Sequence, residues 1–145
     1  MPTFDLTGQW RGEYRFGELY PANLLAVPFL MELRGGWFRR FRGTVRDDPA
    51  RGMPELGLVR GRFVGVTITF TKFMPVGYTY TESGARKTLR SIVQSHTGHD
   101  PGEIKNPPVH YTGTFDPDSV VFRGDWRLAA PFSGSGTWWM ARERL

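Results

Sequence analysis

A chain of 145 residues, 39% of them hydrophobic and 14% aromatic, has enough apolar material for one folded domain, which we expect to span residues 1–145. It contains no cysteine, which excludes a disulfide framework and a thiolate metal site. The 19 Lys and Arg residues outnumber the 14 Asp and Glu residues, but the arginines are spread along the chain rather than gathered in a tail, which disfavours nucleic acid as a partner.

The first residues carry neither the basic stretch nor the apolar stretch of a secretory signal, and no apolar run approaches the length of a membrane-spanning helix. We therefore expect a cytoplasmic protein without membrane contact. The 18 glycines and 11 prolines suit short strands joined by turns better than they suit helices.

The dominant pattern is an alternation of apolar and polar residues with a period of two, interrupted by Gly, Pro and Asp. In the first half of the chain it predicts strands at residues 9–16, 24–33, 37–46, 56–63 and 65–72. Within the first of these, Trp10 and Tyr14 face the packed side, because successive strand side chains point to opposite faces. Asp47 and Asp48 predict a turn after the third strand, in which their carboxylates accept backbone N–H bonds.

The second half of the chain predicts three more strands, at residues 108–115, 120–128 and 137–144. A long excursion, about 73–107, separates them from the first five. Residues 78–81 favour either an extended strand or a small ribbon, and the apolar spacing within 84–96 predicts a short helix. Eight strands with mostly short links predict an all-β fold, an eight-stranded antiparallel up-and-down β-barrel, since closure removes exposed edges. The excursion is a candidate lid.

Gly8-Gln9-Trp10 on the first predicted strand, with Arg142 or Arg144 on the last, resembles the calycin superfamily of lipocalins, fatty-acid-binding proteins and avidins. The resemblance implies that Trp10 closes one end of the barrel and that a cation such as Arg142 packs over its indole. Arg11-Gly12-Glu13 stands where avidins have the Asn and Ser that bind biotin, so biotin is not implied. Lipocalin disulfides are also absent.

Five residues are predicted to contact a ligand inside the barrel. If the Trp10 face points inward, the interior positions include Tyr14, Arg39, Lys72, Tyr111 and Trp126. A buried cation needs an internal carboxylate, a water cluster or a bound anion. The prediction is therefore a small, partly apolar, anionic ligand, with no cofactor. The alternative is that Lys72 reaches the barrel rim and Arg39 faces water at a bulge.

No motif in the chain names a reaction. An isomerase, cyclase or hydrolase using the same cavity would need an acid–base pair, for which His96, His99, Glu82 and Asp125 are the candidates outside the interior face. His96, His99 and Asp100 have side chains that bind metals, but their surroundings predict a solvated loop and no metal site.

Two outer faces carry the remaining alternatives. A basic face built from Arg40, Arg42, Arg60 and Arg62 would bind nucleic acid or protein. A row of threonines would make a homo-oligomer interface together with the outward Trp139, if the fifth and sixth strands pair. The threonines of this row are Thr67, Thr69, Thr71, Thr112 and Thr114.

Overall fold

A computed structural model describes residues 5–143 of the chain. Its elements, in chain order, are β1 (Gly8–Phe16), β2 (Val27–Gly35), β3 (Arg40–Asp47), β4 (Gly57–Val64), β5 (Thr67–Phe73), β6 (Tyr78–Tyr80), β7 (Arg86–Thr88), α1 (Leu89–Thr97), β8 (Val109–Asp116), β9 (Val121–Leu128) and β10 (Ser135–Arg142). Eight strands close into one antiparallel barrel in the order β1-β10-β9-β8-β5-β4-β3-β2. The predicted eight-stranded up-and-down barrel is confirmed.

The barrel has two different ends. At the closed end lie the short turns β2–β3, β4–β5 and β8–β9, and the indole of Trp10 is buried there. At the loop end lie the longer connections, over residues 17–26, 48–56, 74–108 and 129–134. Between the ends, alternate residues of every strand point inward and form a continuous core. Its centre is aromatic: the rings of Phe70 and Tyr111 stack 4.5 Å apart, with Trp138 edge-on to both.

The third strand begins three residues later than the alternation predicts. Residues Trp37–Arg39 form a single 3-10 turn, in which Phe38 and Arg39 have left-handed backbone angles (φ 57° and 62°). Regular pairing with β2 and β4 therefore starts at Arg40 and Phe41. The side-chain alternation counted from Trp37 does not apply to this turn, because it requires extended backbone.

The excursion between β5 and β8 folds as a ribbon followed by a helix. β6 and β7 pair antiparallel, with Tyr78 opposite Thr88. The Thr88 hydroxyl caps α1 by accepting the N–H of Ser91 (3.1 Å), and the helix ends at Gly98 in the left-handed conformation (φ 75°). The short helix is thus confirmed, but it starts after residue 88 because residues 86–88 pair with the ribbon. Within residues 5–143, no helix has the length and apolar character needed to cross a membrane.

β5 and β8 pair directly, so the outward threonines of the two strands are neighbours, with Thr67 opposite Thr114 and Thr69 opposite Thr112. Trp139 lies on β10, two strands further around the barrel, and is 37% exposed. The strand pairing that the homo-oligomer prediction requires is therefore present, but β9, with the exposed Arg123, Asp125 and Arg127, lies between the threonines and Trp139. The oligomeric state stays a prediction.

Candidate ligand-binding site

A cavity of about 160 Å³ lies inside the barrel at the loop end. Barrel strands form its floor, and the connections that cross the loop end cover it. All five tyrosines of the chain line this cavity, although they come from strands and loops far apart in sequence. They are Tyr14, Tyr20, Tyr78, Tyr80 and Tyr111. The cavity is therefore lined by aromatic rings that carry phenol hydroxyls.

A buried ion pair lies at the cavity floor. Lys72 Nζ is 3.0 and 3.1 Å from the two carboxylate oxygens of Asp47, and both residues are 1% exposed. The Tyr14 hydroxyl donates to Asp47 Oδ2 (2.8 Å), as does the Met53 backbone N–H (3.3 Å). The ammonium also lies 4.6 Å from the centre of the Tyr14 ring. The pair thus has the additional hydrogen bonds that a buried pair needs.

Burial holds the tyrosines in their neutral form. It is the largest cause of a raised pKa at every one of them, and the nearby Asp47 charge adds to it at Tyr14 and Tyr111, whose pKa values lie well above the ordinary range. Burial raises the pKa of Tyr20 to about 12 and, together with a hydrogen bond to Glu55, that of Tyr78 to about 12. At neutral pH these groups are hydroxyl donors, not phenolates.

We expect the folded protein to show no tyrosine ionisation in its ordinary range near pH 10. In the unfolded chain the tyrosines lose protons near pH 10, whereas Tyr20 and Tyr78 in the fold keep theirs until about pH 12. Between these pH values the unfolded state binds fewer protons than the fold. The contribution of the tyrosines to the free energy of unfolding is therefore fully present below pH 10 and is lost from pH 10 to about 12. Tyrosinate absorbance of the native and guanidinium-unfolded chains measures this. A native midpoint near 10, with the circular dichroism of the fold intact, would contradict it.

Four of the five predicted ligand contacts line the cavity: Tyr14, Lys72, Tyr111 and Trp126. Trp126 is held by its indole N–H, which donates to the carbonyl of Arg15 (3.0 Å). Of the partners predicted for a buried cation, which were a carboxylate, a water cluster or a bound anion, Lys72 has an internal carboxylate, that of Asp47. Within residues 5–143, no group accepts a hydrogen bond from the Tyr111 hydroxyl, and this hydroxyl lies beside the cavity.

The predicted inward position of Arg39 is wrong. Arg39 belongs to the 3-10 turn at the closed end, is exposed and lies outside the cavity lining. Arg39 faces water, as the alternative interpretation predicted, although it lies in a turn rather than at a bulge. Its backbone is left-handed rather than extended, so the inward side of β3 starts at Phe41 and continues to Asp47.

Asp47 is the interior residue that the sequence analysis missed. The Asp47-Asp48 pair resembles a turn, and Asp48 does open one by accepting the N–H of Ala50 (2.9 Å). Asp47, however, is the last residue of β3 and takes the inward place after Phe41, Gly43 and Val45. Counting the alternation one step past residue 46 would have placed a carboxylate inside the barrel.

The candidate acid–base residues lie elsewhere. His96, His99, Glu82 and Asp125 are exposed and do not line the cavity. Asp100 is paired with the guanidinium of Arg90, with Nε and Oδ1 2.7 Å apart. No group of three or more His, Asp and Glu residues within 5–143 is arranged to hold a metal ion.

At the closed end, the Arg142 guanidinium lies 4.7 Å from the centre of the Trp10 ring. Arg144, the other cation considered for this place, lies outside the described residues. No family model, curated protein or solved structure matches the chain. The calycin assignment therefore stays a prediction, and the function has to be inferred from the cavity itself.

Proposed function

We propose that this barrel binds a small, uncharged ring compound whose oxygen or nitrogen acceptors meet the hydroxyls of Tyr20, Tyr80 and Tyr111. The hydroxyls of Tyr14 and Tyr78 already donate to carboxylates of the protein, so these two residues contribute their rings to the site. The observation that carries the proposal is the convergence of all five tyrosines on one interior cavity. Phenols kept neutral by burial can donate to carbonyl or ring-nitrogen acceptors, and their rings pack against a flat apolar surface. A few convergent polar groups in an otherwise apolar cavity are typical of small-molecule sites.

The charge of the site favours an uncharged ligand over the anion expected from the sequence. That expectation relied on Arg39 and Lys72 as interior cations. Arg39 is exposed, and the charge of Lys72 is balanced by Asp47 at 3.0 Å. An anion in the cavity would have no counter-charge of its own and would lose its hydration, which is costly.

The size of the cavity narrows the ligand further. Drug-sized ligands occupy pockets of roughly 300–1,000 Å³, whereas this cavity measures about 160 Å³. It fits a single substituted ring rather than a fatty acid or a polycyclic molecule. The proposed ligand is therefore smaller than a lipid, and the calycin resemblance of the barrel stays a prediction.

The excursion acts as the lid in this proposal. The Tyr78 hydroxyl donates to Glu55 Oε1 (2.6 Å), and the side-chain amide of Asn23 donates to the carbonyl of Ser83 (3.0 Å). These bonds join the ribbon to the two neighbouring loops. The second oxygen, Glu55 Oε2, is buried without a partner among the described residues, which weakens the closed state. A ligand enters by parting these contacts.

Calorimetric titration with benzamide and benzoate, two probes of nearly equal size, tests the proposal. Benzamide should bind more tightly than benzoate, because only the carboxylate brings an uncompensated charge. Tyr111→Phe should weaken benzamide binding about fivefold, the value of one neutral hydrogen bond of about 1 kcal/mol. The fold should persist, because the ring can keep its stack on Phe70.

Native mass spectrometry of the protein purified from its source supplies the second measurement. A bound uncharged small molecule, displaced by benzamide, supports the proposal. If the protein carries no such molecule and neither probe binds, or if Tyr111→Phe binds benzamide as well as the native chain does, the cavity is only part of the core.

A further inference from the structure

The outer wall of the barrel carries a concentrated set of arginines that the cavity does not use. We call it the arginine face. It consists of Arg34 on β2, Arg40 and Arg42 on β3, and Arg60 and Arg62 on β4. These residues are dispersed in the sequence, but the three strands are neighbours in the barrel, so the fold brings them together. The spread of the arginines along the sequence disfavoured nucleic acid as a partner, but in the structure these five arginines lie together.

The register places like charges directly opposite one another. Arg42 lies opposite Arg34 on one side and Arg60 on the other, and Arg40 lies opposite Arg62. Directly opposed like charges destabilise a sheet. An anion placed between the two rows would relieve this repulsion and make charge-assisted hydrogen bonds with the guanidinium groups.

The arginine face has no such anion of its own. Within residues 5–143, no carboxylate oxygen lies within 4.0 Å of any of its guanidinium groups. Glu32, the acidic residue beside it, accepts a hydrogen bond from Gln9 (3.1 Å). An open groove of about 920 Å³ is lined by one of the two rows, Arg34, Arg42 and Arg60, and by the side chains of Leu58 and Phe73.

Two large aromatic side chains project from the end of the arginine face. Trp37 is 85% and Phe38 is 79% exposed, on the turn that joins β2 to β3. Phe38 has a left-handed backbone, which is uncommon for a bulky residue and merits a functional explanation. These rings lie shortly before Arg40 in the chain, at the end of the face where Arg40 lies opposite Arg62. Exposed rings next to exposed cations match the surfaces that bind single-stranded nucleic acids.

We propose that the arginine face binds single-stranded nucleic acid, with phosphates on the arginines and unpaired bases stacked on Trp37 and Phe38. A linear polyanion fits the groove because Arg34, Arg42 and Arg60 form a row across three strands. The cations run down the side wall, away from the aromatic turn. A flat membrane touching that turn would leave them largely unused. This inference is independent of the ligand in the cavity.

Fluorescence anisotropy with a labelled oligo(dT) strand tests the proposal. Arg42→Gln with Arg60→Gln should weaken binding at least tenfold and lower the slope of log K against log salt by about 1.4, because each phosphate contact on a single strand contributes about 0.7. Trp37→Ala with Phe38→Ala should weaken binding about tenfold and leave the salt slope unchanged, since stacking releases no counterions.

The matched control is Arg123→Gln with Arg127→Gln, which removes the same charge from the exposed side of β9. It should change the affinity less than twofold. Circular dichroism melting shows that each variant is folded. The proposal is overturned if the control loses as much affinity as the Arg42 and Arg60 variant, or if the aromatic variant binds normally. It is also overturned if phosphatidylserine vesicles bind the native chain through Trp37 while oligo(dT) does not.

Discussion

Lys72→Met is expected to lower the free energy of unfolding by about 3–5 kcal/mol, the cost of leaving one member of a buried ion pair without its partner. Among residues 5–143, Asp47 has no other cation at hydrogen-bond distance, since its remaining partners there are the Tyr14 hydroxyl and the Met53 N–H. Methionine fills nearly the same volume as the lysine stem, so packing changes little and the loss reports the charge. Urea unfolding at pH 7 measures it.

The control is the double variant Asp47→Asn with Lys72→Met. The amide removes the buried charge and still presents an oxygen to the Tyr14 hydroxyl, which now donates at 2.8 Å. We therefore expect the double variant to be more stable than Lys72→Met alone by about 2–3 kcal/mol, because a charged pair replaced by neutral groups is often nearly neutral in stability. A Lys72→Met variant within 1 kcal/mol of the native chain would show that the pair is not held as the distances indicate.

The barrel itself could be predicted because each strand repeats one physical pattern. Half-buried strands alternate apolar and polar residues, and Gly, Pro and Asp mark where that alternation stops. β1 illustrates this, since Trp10 and Tyr14 are buried while Arg11 and Arg15 are exposed. The prediction erred where backbone conformation departs from a strand without a strong sequence signal, as in the turn at Trp37–Arg39.

The candidate site could be predicted only in part. Strand residues such as Lys72 and Tyr111 follow from alternation, but Tyr20, Tyr78 and Tyr80 reach the cavity from loops and the ribbon. Their position depends on how the excursion folds back over the loop end, which a local pattern does not encode. The opposed rows of the arginine face depend on strand register, which is likewise set by the whole barrel.

At the closed end of the barrel, Trp10→Ala should lower the free energy of unfolding by about 3–5 kcal/mol. The Trp10 side chain is fully buried, packs edge-on against the ring of Phe122 (5.4 Å), and donates its indole N–H to the carbonyl of Leu6 (2.8 Å). Alanine would leave a cavity where the barrel closes and would release the segment that holds Leu6 against the core.

A substitution of Arg142 measures the contribution of the cation separately from that of the Trp10 indole. Its guanidinium stacks over Trp10 and donates to the carbonyls of Asp5 and Thr7, so it fastens the chain that crosses the closed end. We expect Arg142→Met to cost about 1–2 kcal/mol, from the stack and these hydrogen bonds together. In Trp10→Ala the same substitution should cost less, because the stack is already lost, and urea unfolding of the four proteins measures the coupling. Additive losses would mean that Arg142 stabilises the closed end independently of Trp10, and the cation over the indole would then contribute nothing to closing the barrel.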